Sequence, residues 1–460
     1  QEGQVGEFLR TDGETAYWAV VTKDIVGLGN ADNTSDVLKP ISTATNVELS
    51  KKASYVNTFT ALALLSPTEG EVFVCVERAN AKYIVQASGY VALAGDVTFA
   101  NGLKGALQKS IAGWNFNHFG VSTTASATVN GLAFQSAINR AGNSPIVGSG
   151  GFYVISSQVE INLTGGGIKS TDGRYIDIKQ TTDGVPCLKI SSLTPELGTV
   201  IANIFLENVR LIKTSSTPNQ IALDMSSVSS AKINNLSTLG CHTAIRMRGC
   251  KNIRGINWLL FAGGGTATYS AGASLIVCGE YPLTSGLFTP FWTSSVVNIT
   301  ASTDNLCDHI FDISTADGFQ ISNGYLASPQ KSHFNLQPIR ANSGIAKLLV
   351  NNVYMDGINT TTGSESAITI PSDGLTGTYV AENKFSNCGI SNFTSDIVSI
   401  GRNVSGLEFN GTTLSNAQGW ALFTSTLSGG TISINGGEVS NVGIDGVKGG
   451  VYIEGAQIAK

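Results

Sequence analysis

Glycosidic bonds are cut by two carboxylates, one acting as acid and the other as base or nucleophile. Two acidic residues of this sequence stand at nearly equivalent positions of an internal repeat. Glu280 lies five residues after the apolar marker Leu275, and Asp317 six after Phe311, the marker of the next repeat. If the repeats are stacked coils, one coil step with one residue of offset puts the two Cα atoms roughly 6 Å apart, within reach of either hydrolytic geometry. Asp312, facing outward on the same strand as Asp308, is a third candidate. The acids also fit plainer roles: Asp317-Gly318 and Asp373-Gly374 are ordinary turn dipeptides.

Directly after Glu280 the repeat is interrupted by residues 281–292, which carry Tyr281, Phe288, Phe291 and Trp292 among Pro and Gly. An irregular loop this aromatic suits stacking against sugar rings, with Tyr281, Phe291 and Trp292 as substrate-binding candidates. It would equally suit packing on a neighbouring coil or subunit. The densest basic stretch is His242, Arg246, Arg248, Lys251 and Arg254. Arg248 and Arg254 are candidates for binding an acidic polysaccharide, and the stretch could also supply the base of a β-eliminating lyase. Arg246 falls one coil from Asp224 at the equivalent outward position, where the plain reading is an exposed ion pair of small energy. Hydrolase, lyase and non-cleaving binder therefore all stay open, and the carboxylate alignment favours the first.

Other chemistries lack their residues. No phosphate loop, nucleophile elbow or metal-ligand spacing occurs, and the histidines (His118, His242, His309, His333) are scattered singly. No cofactor or metal is expected. The seven cysteines form no CxxC pair and sit mostly within apolar strands, as small core residues of a chain made in a reducing cytoplasm. Charged residues are 13% of the 460 and the net charge is -5, a mildly acidic balance that argues against nucleic acid as a partner. Hydrophobic residues reach 42%, too many for a disordered chain, yet no apolar run approaches a membrane span.

The elements that must position these residues come from the repeat itself. An apolar-x-apolar strand, its middle residue facing outward, recurs at Leu188, Leu223, Ile245, Phe311, Phe334, Ile368, Val398 and Val451, with weaker copies at Leu275 and Leu422. Successive copies are 22 to 36 residues apart, the period of one solenoid coil. A second motif interleaves with it: an apolar residue, then any residue, then Asn or Gly, with another apolar residue five further on. It reads Leu206-Glu207-Asn208, Ile253-Arg254-Gly255, Ile321-Ser322-Asn323, Phe385-Ser386-Asn387, Phe409-Asn410-Gly411 and Ile434-Asn435-Gly436. Asn and Gly tolerate a left-handed backbone, so a sharp bend should recur there. The expected fold is all-β, a right-handed parallel β-helix of about ten coils and roughly 43 Å at ~4.8 Å per coil. One amphipathic helix, Asn130 to Gly142, buries Phe134, Ala137, Ile138 and Ala141 and would cap the open end.

Two segments resemble a known family. Residues 27–36 (GLGNADNTSD), continuing KPISTAT at 39–45, are similar to the "GLGNVDNTSD…KPISTAT" signature of bacteriophage tail fibres, as is the preceding stretch from Gly6 to Trp18. Phe119-Gly120-Val121, the helix from Leu132 to Ile138, and Gly151-Phe152-Tyr153-Val154-Ile155 resemble the pectate-lyase-like opening of tailspike β-helices, with Thr and Ser where that family carries an acidic pair. The resemblance implies a homotrimeric phage tailspike, attached to the virion by its N-terminal part. Its β-helix would bind, and usually cleave, a polysaccharide on the outside of the bacterial cell. The organisation it implies is an attachment segment over 1–60, a β-rich neck over 61–110, a linker and capping helix over 111–145, and the β-helix over 146–460.

Overall fold

A strand with one buried face presents its apolar residues at every second position, and a coil that stacks on its neighbours must repeat that pattern at one register. The computed structural model describes residues 7–20, 52–213, 220–262, 270–357, 365–372, 375, 378–402, 404–425, 431–443 and 449–453. The chain divides between Ala53 and Ser54 into two units. In the first, Glu7–Thr11 and Ala16–Val20 form an antiparallel hairpin. Its turn is closed by Asp12, whose Oδ1 accepts from the backbone N–H of Glu14 and Thr15 at 3.0 and 2.9 Å. The fibre-like residues 27–36 and 39–45 lie outside the described residues.

The second unit opens with a five-stranded sheet, from Ser54–Val56 to Lys104–Leu107. The capping helix follows. It runs Ala127–Ala141, three residues earlier than periodicity alone places it, because the Ser126 side chain accepts from the Val129 N–H and starts the helix there. Phe134, Ala137 and Ile138 are buried as expected, and Phe134 meets Phe116 and Tyr153 at ring centroids of 4.9 and 5.8 Å. Ala141 is only partly buried.

Beyond it the chain is a parallel β-helix. One sheet of eleven parallel strands runs from Val159–Ile161 to Val451–Ile453. The apolar-x-apolar markers stack in a single column: Leu188, Leu223, Ile245, Ile276, Phe311, Phe334, Ile368, Val398, Leu422 and Val451. The copy expected at Leu275 is displaced by one residue to Ile276. A register irregularity between Ser270 and Ser274 shifts that strand, so the next residue turns inward. Val159-Glu160-Ile161, below Leu188, is a further copy. Phe311 and Phe334 stack in parallel at 4.8 Å, an aromatic pair contributing about 0.5–1.5 kcal/mol beyond its burial.

A second sheet of twenty strands forms the other faces and is bent by left-handed residues. Asn208, Asn235, Asn257, Asn298, Asn323 and Asn352 all have φ between 52° and 57°. Their side chains form a ladder from coil to coil, with Asn235 donating to Asn208 at 2.7 Å, Asn257 to Asn235 at 2.9 Å and Asn298 to Asn257 at 2.9 Å. Asn387, Gly411 and Gly436 also have positive φ, as their motif requires. Gly255 is the exception: the bend in its coil is at Asn257, and Gly255 pairs with Ile233 at an inward position. A Cβ there would come within 2.4 Å of the Trp258 indole, which fills the space and donates to the Ile233 carbonyl at 3.0 Å.

Candidate functional site

The site forms where one coil is interrupted. The strand Ser270–Gly279 ends and Glu280 follows, after which the chain leaves the coil as an antiparallel hairpin, Tyr281–Pro282 against Phe288–Thr289. Gly249 (φ +61°) makes room for it, since a Cβ there would meet the Tyr281 Cβ at 2.8 Å. The tip reaches back across the coils, where the Thr284 N–H donates to the Glu196 carbonyl at 2.8 Å. The coil resumes at Trp292, whose neighbours on adjacent coils are Lys251 and Asp317. Asp317 sits in the two-residue strand Ala316–Asp317 beside Ile345 and Ala346, and Gly318 (φ +79°) makes the turn the dipeptide implies.

These segments enclose a cleft of about 300 Å³ lined by Glu280, Phe288, Pro290, Trp292, Thr315, Ala316, Asp317, Arg340, Asn342, Ser343, Gly344 and Tyr379. Glu280, Asp317 and Trp292 are thus brought together as the repeat alignment suggests, though by a different route. Cys278 pairs with Ile313, which sets Glu280 level with Thr315, while Asp317 lies level with Trp292. The offset between the acids is two residues, and the hairpin stands between them in sequence.

The two carboxylates have opposite surroundings. Glu280 is buried, its side chain 4% exposed, and both oxygens accept from Arg340: Nε to Oε1 at 2.9 Å and Nη2 to Oε2 at 3.0 Å. Donating to Glu280 pushes the Arg340 pKa up, against an opposing effect of burial. The guanidinium also lies over the Phe288 ring, 4.2 Å from its centroid. Asp317 is 54% exposed, and among the described residues its ion pair is with Lys347 at 3.6 Å, a surface pair of little energy. Tyr379 is half exposed, its ring seated over Gly344, where a Cβ would lie 2.4 Å from it.

The other expected site residues fall elsewhere. Phe291 is fully buried and packs edge-on against Phe319 at 5.2 Å, because alternation turns it inward where Trp292 turns outward. It is no sugar platform. Tyr281 lies at the hairpin base beneath Arg248, whose guanidinium is 5.4 Å from the ring; neither lines the cleft. Burial, and then the nearby Arg246, push the Arg248 pKa down. Arg254 is exposed on the strand Ile253–Phe261 opposite Ser295, also away from the cleft lining. Asp312 belongs to the eleven-stranded sheet, where Asn335 donates to it at 2.9 Å and burial pushes its pKa up; it does not line the cleft. Arg246 forks onto Asp224 at 2.9 and 2.6 Å, the partner expected from stacking, but Asp224 is buried, so the pair is not the exposed one expected. Asp373 lies outside the described residues. Among the described residues no group of three or more His, Cys, Asp or Glu could hold a metal ion, and no helix is long and apolar enough to cross a membrane.

Arg340 and Tyr379 are cleft residues that sequence reasoning missed. The repeat did carry a signal for the first: Arg340 follows the marker Phe334 by six residues, as Asp317 follows Phe311.

No protein-family model matches the chain, and no curated protein matches it. Among solved structures, the chain is similar to the tailspike of Acinetobacter phage vb_AbaP_AS12, with a TM-score of 0.60 at 13% identity over 89% of this chain and 77% of that one. It is also similar to the tailspike of Acinetobacter phage vB_ApiP_P1, with a TM-score of 0.54 at 14% identity over 82% of this chain and 66% of that one. At these identities the likeness establishes the fold, a parallel β-helix of the kind found in phage tailspikes.

Proposed function

We propose that the chain is a bacteriophage tailspike that binds a bacterial surface polysaccharide, capsule or O-antigen, in this cleft and depolymerises it by hydrolysis. The observation that carries the reading is the convergence of two carboxylates, Glu280 and Asp317, with the exposed rings of Trp292 and Tyr379 in one cleft on the flank of a β-helix. Aromatic rings give sugar rings an apolar face to stack on, and a carboxylate on each side of a glycosidic bond supplies acid and base. Asp317, weakly paired and open to solvent, is the group best placed to meet substrate or water. The fibre-like residues 6–18 and 27–45 support attachment to the virion and assembly as a homotrimer.

One observation favours a second reading, a fibre that binds without cutting. Glu280 is buried and each of its oxygens already accepts from Arg340, so a substrate reaches it only through the lone pairs that the fork leaves. Digestion of a panel of capsules and O-antigens separates the two. Hydrolysis generates new reducing ends, and Glu280→Gln and Asp317→Asn each lower their release by about 10²–10⁴-fold while polysaccharide binding persists. Absorbance from an unsaturated uronate would instead select a lyase. Wild-type rates in both variants would overturn the assignment of these carboxylates.

A further inference from the structure

We propose that the glycan taken by this cleft is acidic and that Arg340 determines this preference, a sugar carboxylate accepting from the open edge of its guanidinium. The inference rests on the reading of the cleft as a polysaccharide site. A guanidinium holds five N–H donors in a rigid plane and matches a carboxylate two donors at a time. In Arg340, Nε and Nη2 each give one hydrogen to Glu280, and Nη1 reaches the Ala341 carbonyl at a long 3.4 Å. Two of the five donors therefore have no partner among the described residues.

The fork is the closed end of this arrangement. The Glu280 side chain is 4% exposed and that of Arg340 is 40% exposed, so the guanidinium is anchored on its inner edge and open on its outer one. The Phe288 ring fixes its plane from one face at 4.2 Å. An arginine held in this way loses little freedom on binding, so more of the interaction with a planar anion appears as affinity. A hydroxyl of a neutral sugar occupies one donor; a carboxylate occupies both. Arg340 cancels Glu280 within the fork, and Lys347, 3.6 Å from Asp317, offsets the second carboxylate, so the outer edge of the guanidinium meets an anion with the two acids each balanced by a cation.

The test offers the full chain uronate-bearing bacterial capsular polysaccharides alongside the same polymers after chemical reduction of their carboxyl groups. In the wild type, reduction weakens binding at least tenfold. R340Q binds both forms at the weaker level, and R340K, which keeps the charge but loses the two-donor edge, falls between. Because Arg340 also covers the buried Glu280, the thermal midpoint of each variant establishes that it folds. If R340Q does not fold, the wild-type comparison and R340K decide. Equal wild-type binding of acidic and reduced polymers, still lost in W292A, overturns the acid preference and leaves the glycan cleft standing. Binding indifferent to W292A overturns the cleft reading itself.

Discussion

Replacing Asn257 tests what holds the bend of every coil. Asn257 has φ 56°, donates to Asn235 at 2.9 Å and accepts from Asn298 at 2.9 Å. Alanine removes both bonds and leaves a Cβ in the left-handed region with no side-chain polar group to compensate. The residue is exposed, so each bond counts near the lower end of the usual range, about 0.5–1 kcal/mol. The left-handed conformation costs alanine about 1–2 kcal/mol. Together Asn257→Ala loses about 3 kcal/mol. Asn257→Asp is the control: it tolerates the same backbone and still accepts from Asn298 but cannot donate to Asn235, a loss of about 1 kcal/mol. Solenoids of this kind are best compared by unfolding rate in guanidinium, followed by tryptophan fluorescence. With tenfold per 1.4 kcal/mol, the alanine variant unfolds up to about a hundredfold faster and the aspartate variant about fivefold. Equal acceleration in the two would show that backbone conformation contributes nothing. No acceleration in either would show that the ladder is decoration.

The pH dependence of stability should carry the mark of His333. Fully buried, it has Nε2 3.1 Å from the Leu326 carbonyl, and burial holds its pKa down at about 4 against an ordinary 6.5. The unfolded chain takes up a proton below about 6.5 and the folded chain only near 4, so stability falls as pH drops through that window and levels off beneath it. His309, also pushed down to about 4 by burial, adds to the same slope. The thermal midpoint followed from pH 7 to pH 4 should decline less steeply in His333→Gln; an unchanged slope would assign the loss to other groups. Assembly is checked by sedimentation of the full chain, expected at three times its 47.9 kDa mass, and a monomer would remove the homotrimer from the proposal.

What the sequence disclosed, and what it hid, follows from the geometry of a solenoid. The column from Leu188 to Val451 was legible because each marker packs on its equivalent in the next coil, so the core imposes the same residue type at the same phase. The bends at Asn208, Asn323, Asn387, Gly411 and Gly436 were legible because Asn and Gly tolerate a left-handed backbone, while those at Asn235, Asn257, Asn298 and Asn352 were passed over. Pattern failed where one element compensated for another. Gly255 looked like a bend because the residue it lacks is supplied by Trp258, three positions on. Leu275 looked like a marker because an irregular strand moves the inward position to Ile276.

The site was half legible for a related reason. Counting from each marker locates residues that stay on the coil, and it correctly brought Glu280 and Asp317 to one place. It cannot follow a chain that leaves the coil, so within residues 281–292 it offered Tyr281, Phe291 and Trp292 alike and passed over Phe288, whereas the structure puts Phe288 and Trp292 in the cleft and Phe291 in the core. Nor does counting one step forward find a partner two steps away: Glu280, Asp317 and Arg340 belong to three successive coils, and the buried acid skips the middle one to reach its arginine. That skip bears on function. A carboxylate bonded across an intervening coil fixes the cleft wall on both sides of Asp317. Under the proposed function, Asp317 therefore works in a cleft that also holds Trp292 and a guanidinium whose plane is already set.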